Sequence, residues 1–251
     1  ERVLTRRDDR TGLSRARQFV HGSVRDHRTL LMRNQPEPPE GSVAKLKRAA
    51  EDALGAGSIG ELLGIEGAAA SQYFQQFSGM VKVEDDDLPG LEMPNPGGKQ
   101  LAFNFNFSHR NRRPPTDPVN AMLSLAYSML SKDCTLAALA VGFDPYVGFY
   151  HQPRFGRPAL GLDLMEEFRQ PVVDRPIFAW LFKNGSLKLE NGLLDKESKE
   201  GVAARVLARL NATEPHRGKE HQVRSIIQMQ ARLAAAAFRE RRPYRPFSFQ
   251  W

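Results

Sequence analysis

A single cysteine, Cys134, is the only thiol in this 251-residue chain. That excludes an internal disulfide framework and any cysteine-based metal cluster, and it fits a reducing, cytoplasmic setting. Long apolar runs are missing too. None approaches the ~18 residues that a membrane-spanning helix needs, so no membrane partner is expected. No secretory leader is read. The first residue is Glu1 rather than Met, and a missing upstream segment is expected. Acids are the scarcer charge, 29 Asp and Glu against 36 Lys and Arg.

The basic excess is uneven. Residues 1–33 hold nine arginines against four acids, and residues 215–251 hold eight basic residues against two acids. The middle of the chain is therefore net acidic. Basic ends around an acidic centre suit a surface that grips a polyanion, most simply nucleic acid, around a different kind of site.

Hydrophobic residues make up 41% of the chain, enough for a core, and the periodicity is mostly helical. Residues 1–13 read as a linker from a missing upstream domain, and residues 14–251 as one mainly α domain. Ser14 is expected to cap a helix bearing Phe19, Val20, Val24, Leu30 and Leu31. The prolines of 35-QPEPPEG-41 end it. A short helix follows from Ser42 to about Leu54. Ser58 and Glu61 have capping-box spacing and open a helix over 58–77. The acidic, Pro- and Gly-rich stretch 81–100 reads as a mobile loop, and alternating Leu101, Phe103, Phe105 and Phe107 as a strand. Asp117-Pro118 starts a helix to about Leu130. Others are expected over Thr135–Val141, Val172–Phe182, 198–211 and 217–241. A hairpin over 183–192 would turn at Asn184-Gly185.

Four constellations carry chemistry. Glu66 stands among small residues in 64-GIEGAAASQYF-74, where another backbone could approach. His151 follows an irregular aromatic link, 142-GFDPYVGFYHQPRFGRP-158. The segment 158-PALGLDLMEEFRQPVVDR-175 places four acids, Asp163, Glu166, Glu167 and Asp174, in apolar surroundings. Asp163 shares a helix face with Glu166 at three residues and with Glu167 at four. Arg110, Arg112 and Arg113 flank a proline-stiffened turn before Asn120, and planar guanidinium groups suit phosphate. Each has an ordinary reading: surface Glu, structural His, solvated helix start, exposed arginines. Together they suggest carboxylates and one imidazole around a divalent ion. That donor set suits Mn2+ or Mg2+ better than zinc.

GIEGAAASQYF, RRPPTDPVNAMLSLAYSML, GFDPYVGFYH and LDLMEEFRQPVVDR, in this order and spacing, closely resemble the C-terminal helical domain of the CRISPR-associated protein one family. That family provides the integrase and endonuclease of spacer acquisition. The resemblance runs from about residue 14 to the end, and 16-ARQFVHGSVRDHRTLLMRN-34 looks like the family's first helix after its β domain. It implies a mainly α, multi-helix catalytic domain, with the family's N-terminal β domain absent here. It implies that Glu66, His151 and Glu166 are the metal ligands and catalytic residues. Asp163, Asn120 and Tyr127 would support or line the site, and Arg110, Arg112, Arg113 and Arg157 would lie near DNA. HGSVRDH departs from the family's usual lysine- and asparagine-containing version of that helix.

The activity implied is joining of a short DNA fragment into a CRISPR repeat, its 3′-hydroxyl attacking a phosphodiester. Phe and Tyr residues near the loops would stack on unpaired ends. The implied partners are DNA, a second copy, CRISPR-associated protein two, and a fused or associated trimming nuclease, CRISPR-associated protein four. The alternative is a non-catalytic DNA-binding or assembly subunit of the same type of complex.

Overall fold

The computed structural model describes residues 9–80, 110, 115, 117–177, 189–190, 193–240 and 244–249. They are mainly helical. The first group is α1 (Asp9–Asn34), α2 (Glu40–Gly55), α3 (Ile59–Gln75) and the short α4 (Phe77–Met80). Then come α5 (Pro118–Ala140), α6 (Ala159–Met165), a π-helical turn (Gln170–Asp174), α7 (Lys196–Asn211) and α8 (Val223–Arg239). Two antiparallel ribbons lie between helices: β1 (Leu189–Glu190) with β2 (Leu193–Leu194), and β3 (Thr213–His216) with β4 (Lys219–Gln222).

Local chemistry explains several starts. The Ser58 hydroxyl accepts from the Glu61 amide at 3.1 Å, and Glu61 reaches back to the Gly57 amide at 2.6 Å. Two orphan donors are thus satisfied. Asp117 accepts from the Asn120 amide at 2.8 Å, with Pro118 in the first turn. Asp195 caps α7 in the same way, through the Ser198 amide at 2.8 Å.

Other boundaries differ from the sequence reading. Ser14 is no cap, because α1 already runs from Asp9 and Ser14 is exposed within it. The expected break at Ser131–Cys134 is absent: α5 is continuous, with Leu130 and Cys134 buried one turn apart. Residues 217–222 are not helical. They close the β3–β4 ribbon, in which His216 pairs with Lys219 across a two-residue turn. In the first ribbon Glu190 pairs with Leu193 and Leu189 with Leu194. The expected turn at Asn184-Gly185, the loop 81–100 and the strand 101–107 lie outside the described residues.

Two layers result. α1, α2 and α3 pack on one another, while α5 is the axis on which α6, α7, α8 and the π-helical turn pack. The expected α1 stripe of Phe19, Val20, Val24, Leu30 and Leu31 is buried. Each such side chain contributes about 1.5–3 kcal/mol on burial. The seam between the layers is different, because it is polar. Tyr73 on α3 donates to Asp174 at 2.9 Å, His27 on α1 meets Gln170 at 2.8 Å, and Ser23 on α1 lies 3.5 Å from Glu166. Buried polar groups need partners to be tolerated, so this seam specifies one alignment of the two layers.

Candidate metal centre

The site grows from the carboxylate of Asp163, which is fully buried near the end of α6. One oxygen accepts from the Phe149 and Tyr150 amides at 2.8 and 3.1 Å. The other accepts from the His151 amide at 2.8 Å and lies 2.7 Å from His151 Nδ1. The 148–151 backbone can wrap the acid this closely only because residue 148 is glycine. A Cβ there would lie 2.7 Å from Asp163 Oδ2 and 2.8 Å from the His151 carbonyl. A carboxylate accepts, so Nδ1 donates, and in the neutral ring Nε2 keeps its lone pair. An acid behind a histidine that fixes its tautomer is the usual support for a metal-binding imidazole.

His151 Nε2 faces Glu166 Oε1 at 3.9 Å. Glu166 is 2% exposed and its carboxyl is pushed up by burial. The nearby Arg169 guanidinium opposes that shift, and the Glu66 charge adds to it. Arg169 Nη2 lies 3.2 Å from Glu166 Oε1, an oxygen that receives no hydrogen bond. Tyr150 Oη is likewise buried without a hydrogen-bond partner. Burial, then the charges of Glu66, Glu166 and Asp163, push its phenol up. Glu66, half-buried on α3, thus acts through its charge on both groups from the other layer.

His151 and Glu166 are thus neighbours, and the Glu66 charge acts on Glu166 and Tyr150. However, among the described residues no three His, Cys, Asp or Glu side chains stand close enough to hold an ion as they are. Arg169 supplies the positive charge instead. The donor chemistry still fits a hard divalent cation: carboxylates, one imidazole presenting Nε2, and a buried carboxylate oxygen without a donor.

The small residues around Glu66 do not serve close approach. Gly64 and Gly67 are exposed, and nothing lies within 4 Å of a Cβ built on either. Nor are the acids of 158–175 a solvated helix start: all four are buried at or beyond the end of α6. Glu167 points away from Glu166. It accepts from Gln230 at 2.9 Å and from the Tyr244 hydroxyl and the Phe247 amide, each at 2.5 Å. Burial nevertheless pushes its carboxyl up to about 7. Asp174 accepts from Tyr127 at 2.5 Å and Tyr73 at 2.9 Å, and burial raises it to about 6.

Tyr127 reaches the site indirectly, with Arg169 over its ring at 5.3 Å and Arg110 at 5.7 Å. Asn120 is committed elsewhere: it receives Arg110 at 2.7 Å and donates to Asp117 at 2.6 Å. Arg110 also bonds Ser124 at 3.0 Å, so its guanidinium serves the first turns of α5. Arg157 is half-buried in a tight turn after His151. Arg112 and Arg113 lie outside the described residues. Ser23, Gly148 and Arg169 were not singled out from sequence. Only Arg169 carried a signal, an opposite charge three residues after Glu166 on one helical run.

Residues 1–209 match the family described as CRISPR associated protein Cas1. A Cas4/Cas1 fusion of Geobacter sulfurreducens is 44% identical over 187 residues, which are 72% of this chain and 31% of the fusion. A Cas1 endonuclease of Thermus thermophilus is 36% identical over 246 residues, 94% of this chain and 67% of that one. The chain thus spans under a third of the Geobacter relative and two thirds of the Thermus one. Among solved structures, a Cas1 protein from Thermotoga maritima aligns with TM-score 0.73 at 24% identity, covering 90% of this chain and 65% of that one. A casposase bound to integration product aligns with TM-score 0.71 at 24% identity, covering 94% and 63%. With the family matched over most of its length and relatives this similar, the chain belongs to the Cas1 family.

Proposed function

We propose that this chain is the helical domain of a metal-dependent DNA integrase of CRISPR adaptation. It would join the 3′-hydroxyl of a short DNA fragment to a phosphodiester at the repeat. The carrying observation is the convergence of His151 Nε2 on Glu166 Oε1 at 3.9 Å, with Asp163 behind the ring and the Glu66 charge facing from α3. Glu66, His151 and Glu166 would hold Mn2+ or Mg2+. When bound, the ion supplies Lewis acidity at the phosphate and lowers the pKa of a coordinated hydroxyl.

The protein's own groups do the rest. Asp163 holds His151 in one tautomer. The layer seam would bring Glu66 toward Glu166 once the ion binds. Arg169, paired with Glu166 at 3.2 Å, is placed to move its charge to a phosphate oxygen when a cation takes the carboxylate. In the exchange, the attacking 3′ oxygen bonds phosphorus and gives up its proton. The leaving 3′ oxygen departs with the bonding pair and takes a proton. One phosphodiester replaces another, so no nucleotide cofactor is consumed.

The proposed partners are DNA, a second copy, CRISPR-associated protein two and the Cas4 nuclease. Cas4/Cas1 fusions and Cas6-RT-Cas1–Cas2 complexes stand among the similar proteins. One observation favours the second reading, a non-catalytic assembly subunit: Arg169 already neutralises Glu166, and no three-residue ligand set is closed among the described residues. Strand transfer of a labelled fragment into a repeat-bearing plasmid, with partner protein and Mn2+, separates the two. Glu66→Ala and His151→Ala should each reduce joining by at least about 100-fold, as loss of metal chemistry requires. Joining at the parent rate would leave only the assembly reading.

A further inference from the structure

Directly after His151 the chain makes a tight turn, Arg154-Phe155-Gly156-Arg157. The Arg157 amide bonds the Arg154 carbonyl at 3.0 Å, and Gly156 has φ 68°. Glycine suits that third position, where a side chain would be strained. Pro153 and Pro158 stiffen the chain on either side of the turn. At the tip stands Phe155 with 109% relative exposure, so its ring touches nothing else in the described fold. Other exposed large apolar residues, such as Leu193 at 60% and Tyr146 at 51%, retain part of their cover. An aromatic ring held wholly in water by a rigid turn contributes nothing to the core and loses little entropy when it binds.

Its surroundings select the partner. Exposed Arg154 and half-buried Arg157 flank Phe155 within the turn's sequence, and His151 is four residues away, at most about 14 Å along an extended chain. An apolar face between guanidinium groups matches a nucleobase between phosphates. We propose that Phe155 is a stacking platform for an unpaired base near the reacting end of the DNA strand, with Arg154 and Arg157 on its backbone. This rests on the integrase reading and names a contact that would hold the single-stranded end at the site.

The test uses the purified protein and a duplex with a single-stranded 3′ overhang carrying 2-aminopurine. The parent should quench the probe on binding. Phe155→Ala should lose the quenching and weaken overhang binding about 10-fold, the scale of one stacked base. Its affinity for blunt duplex and its thermal midpoint should stay unchanged, because the ring supports no packing. Phe155→Trp should restore both signals. Glu66→Gln should keep the quenching and lose strand transfer, so the two readings fail separately: transfer by Glu66→Gln at the parent rate sinks the metal-centre reading alone, and absence of transfer in the parent sinks the integrase reading. Parent-like quenching and affinity in Phe155→Ala overturn the stacking platform. So does a change in self-association with quenching intact, since that makes the turn a protein contact.

Discussion

At the residue scale, the centre is organised by a side chain that would not itself touch an ion. Asp163 collects three successive amides and one imidazole nitrogen. Gly148 is its necessary complement, and Gly148→Ala should show this. Its Cβ meets Asp163 Oδ2 at 2.7 Å and backbone atoms of His151 and Ala159 at 2.8 and 3.0 Å. Overpacking of this kind costs about 1–3 kcal/mol, so urea unfolding should shift by that amount. Mn2+ binding measured calorimetrically should weaken in the same variant. Asp174 makes a second residue-scale prediction. Burial lifts its carboxyl from 3.8 to about 6 despite two tyrosine donors. A carboxyl raised in the fold contributes stability that is complete below the lower value and lost as pH rises through the higher one. Relative to Asp174→Asn, the parent should therefore lose stability between about pH 4 and about pH 6 and hold a constant difference above that. Thermal unfolding across this window checks it.

At the element scale, two caps were readable where a side chain closes on its own backbone. Ser58 and Asp117 cap the helices they precede, while Asp195, which caps α7, was not read. The β3–β4 ribbon was missed because its local propensity is ordinary. Its turn places Arg217 at φ 53° before Gly218 at φ 78°, where Asn-Gly would be the favoured pair. Arg217→Asn should relieve a left-handed arginine and stabilise the protein by about 1 kcal/mol. A higher thermal midpoint in scanning calorimetry is the expected result, and a lower one would show that the arginine is held by contacts its conformation does not reveal.

At the scale of the whole molecule, the C-terminal segment is structural. Glu167 takes hydrogen bonds from Tyr244, Phe247 and Gln230, Phe247 stacks on Phe168 at 5.7 Å, and Tyr244 stacks on Phe19 at 5.2 Å. The tail is thus tied to the residue next to Glu166. Removing residues 244–251 strips donors from a buried carboxylate, a loss on the order of 3–5 kcal/mol. Denaturant unfolding should register it, and Glu167→Gln should suffer less in the truncated chain than in the parent.

The amino-acid pattern by itself determined the helical class, the apolar stripe of α1, the capping of α3 and α5, and the family likeness. These follow from short-range periodicity, turn chemistry and motif spacing. Only the tertiary structure decided what each acid does. Glu166 and Glu167 are adjacent and chemically alike, yet helical geometry sends one to His151 and Arg169 and the other to the C-terminal tail. Arg110 and Asn120 bond to each other. The Glu167–Tyr244 pairing and the seam pairs Tyr73–Asp174 and His27–Gln170 join residues far apart in the chain, and only packing brings them together where an unpartnered buried charge is not tolerated.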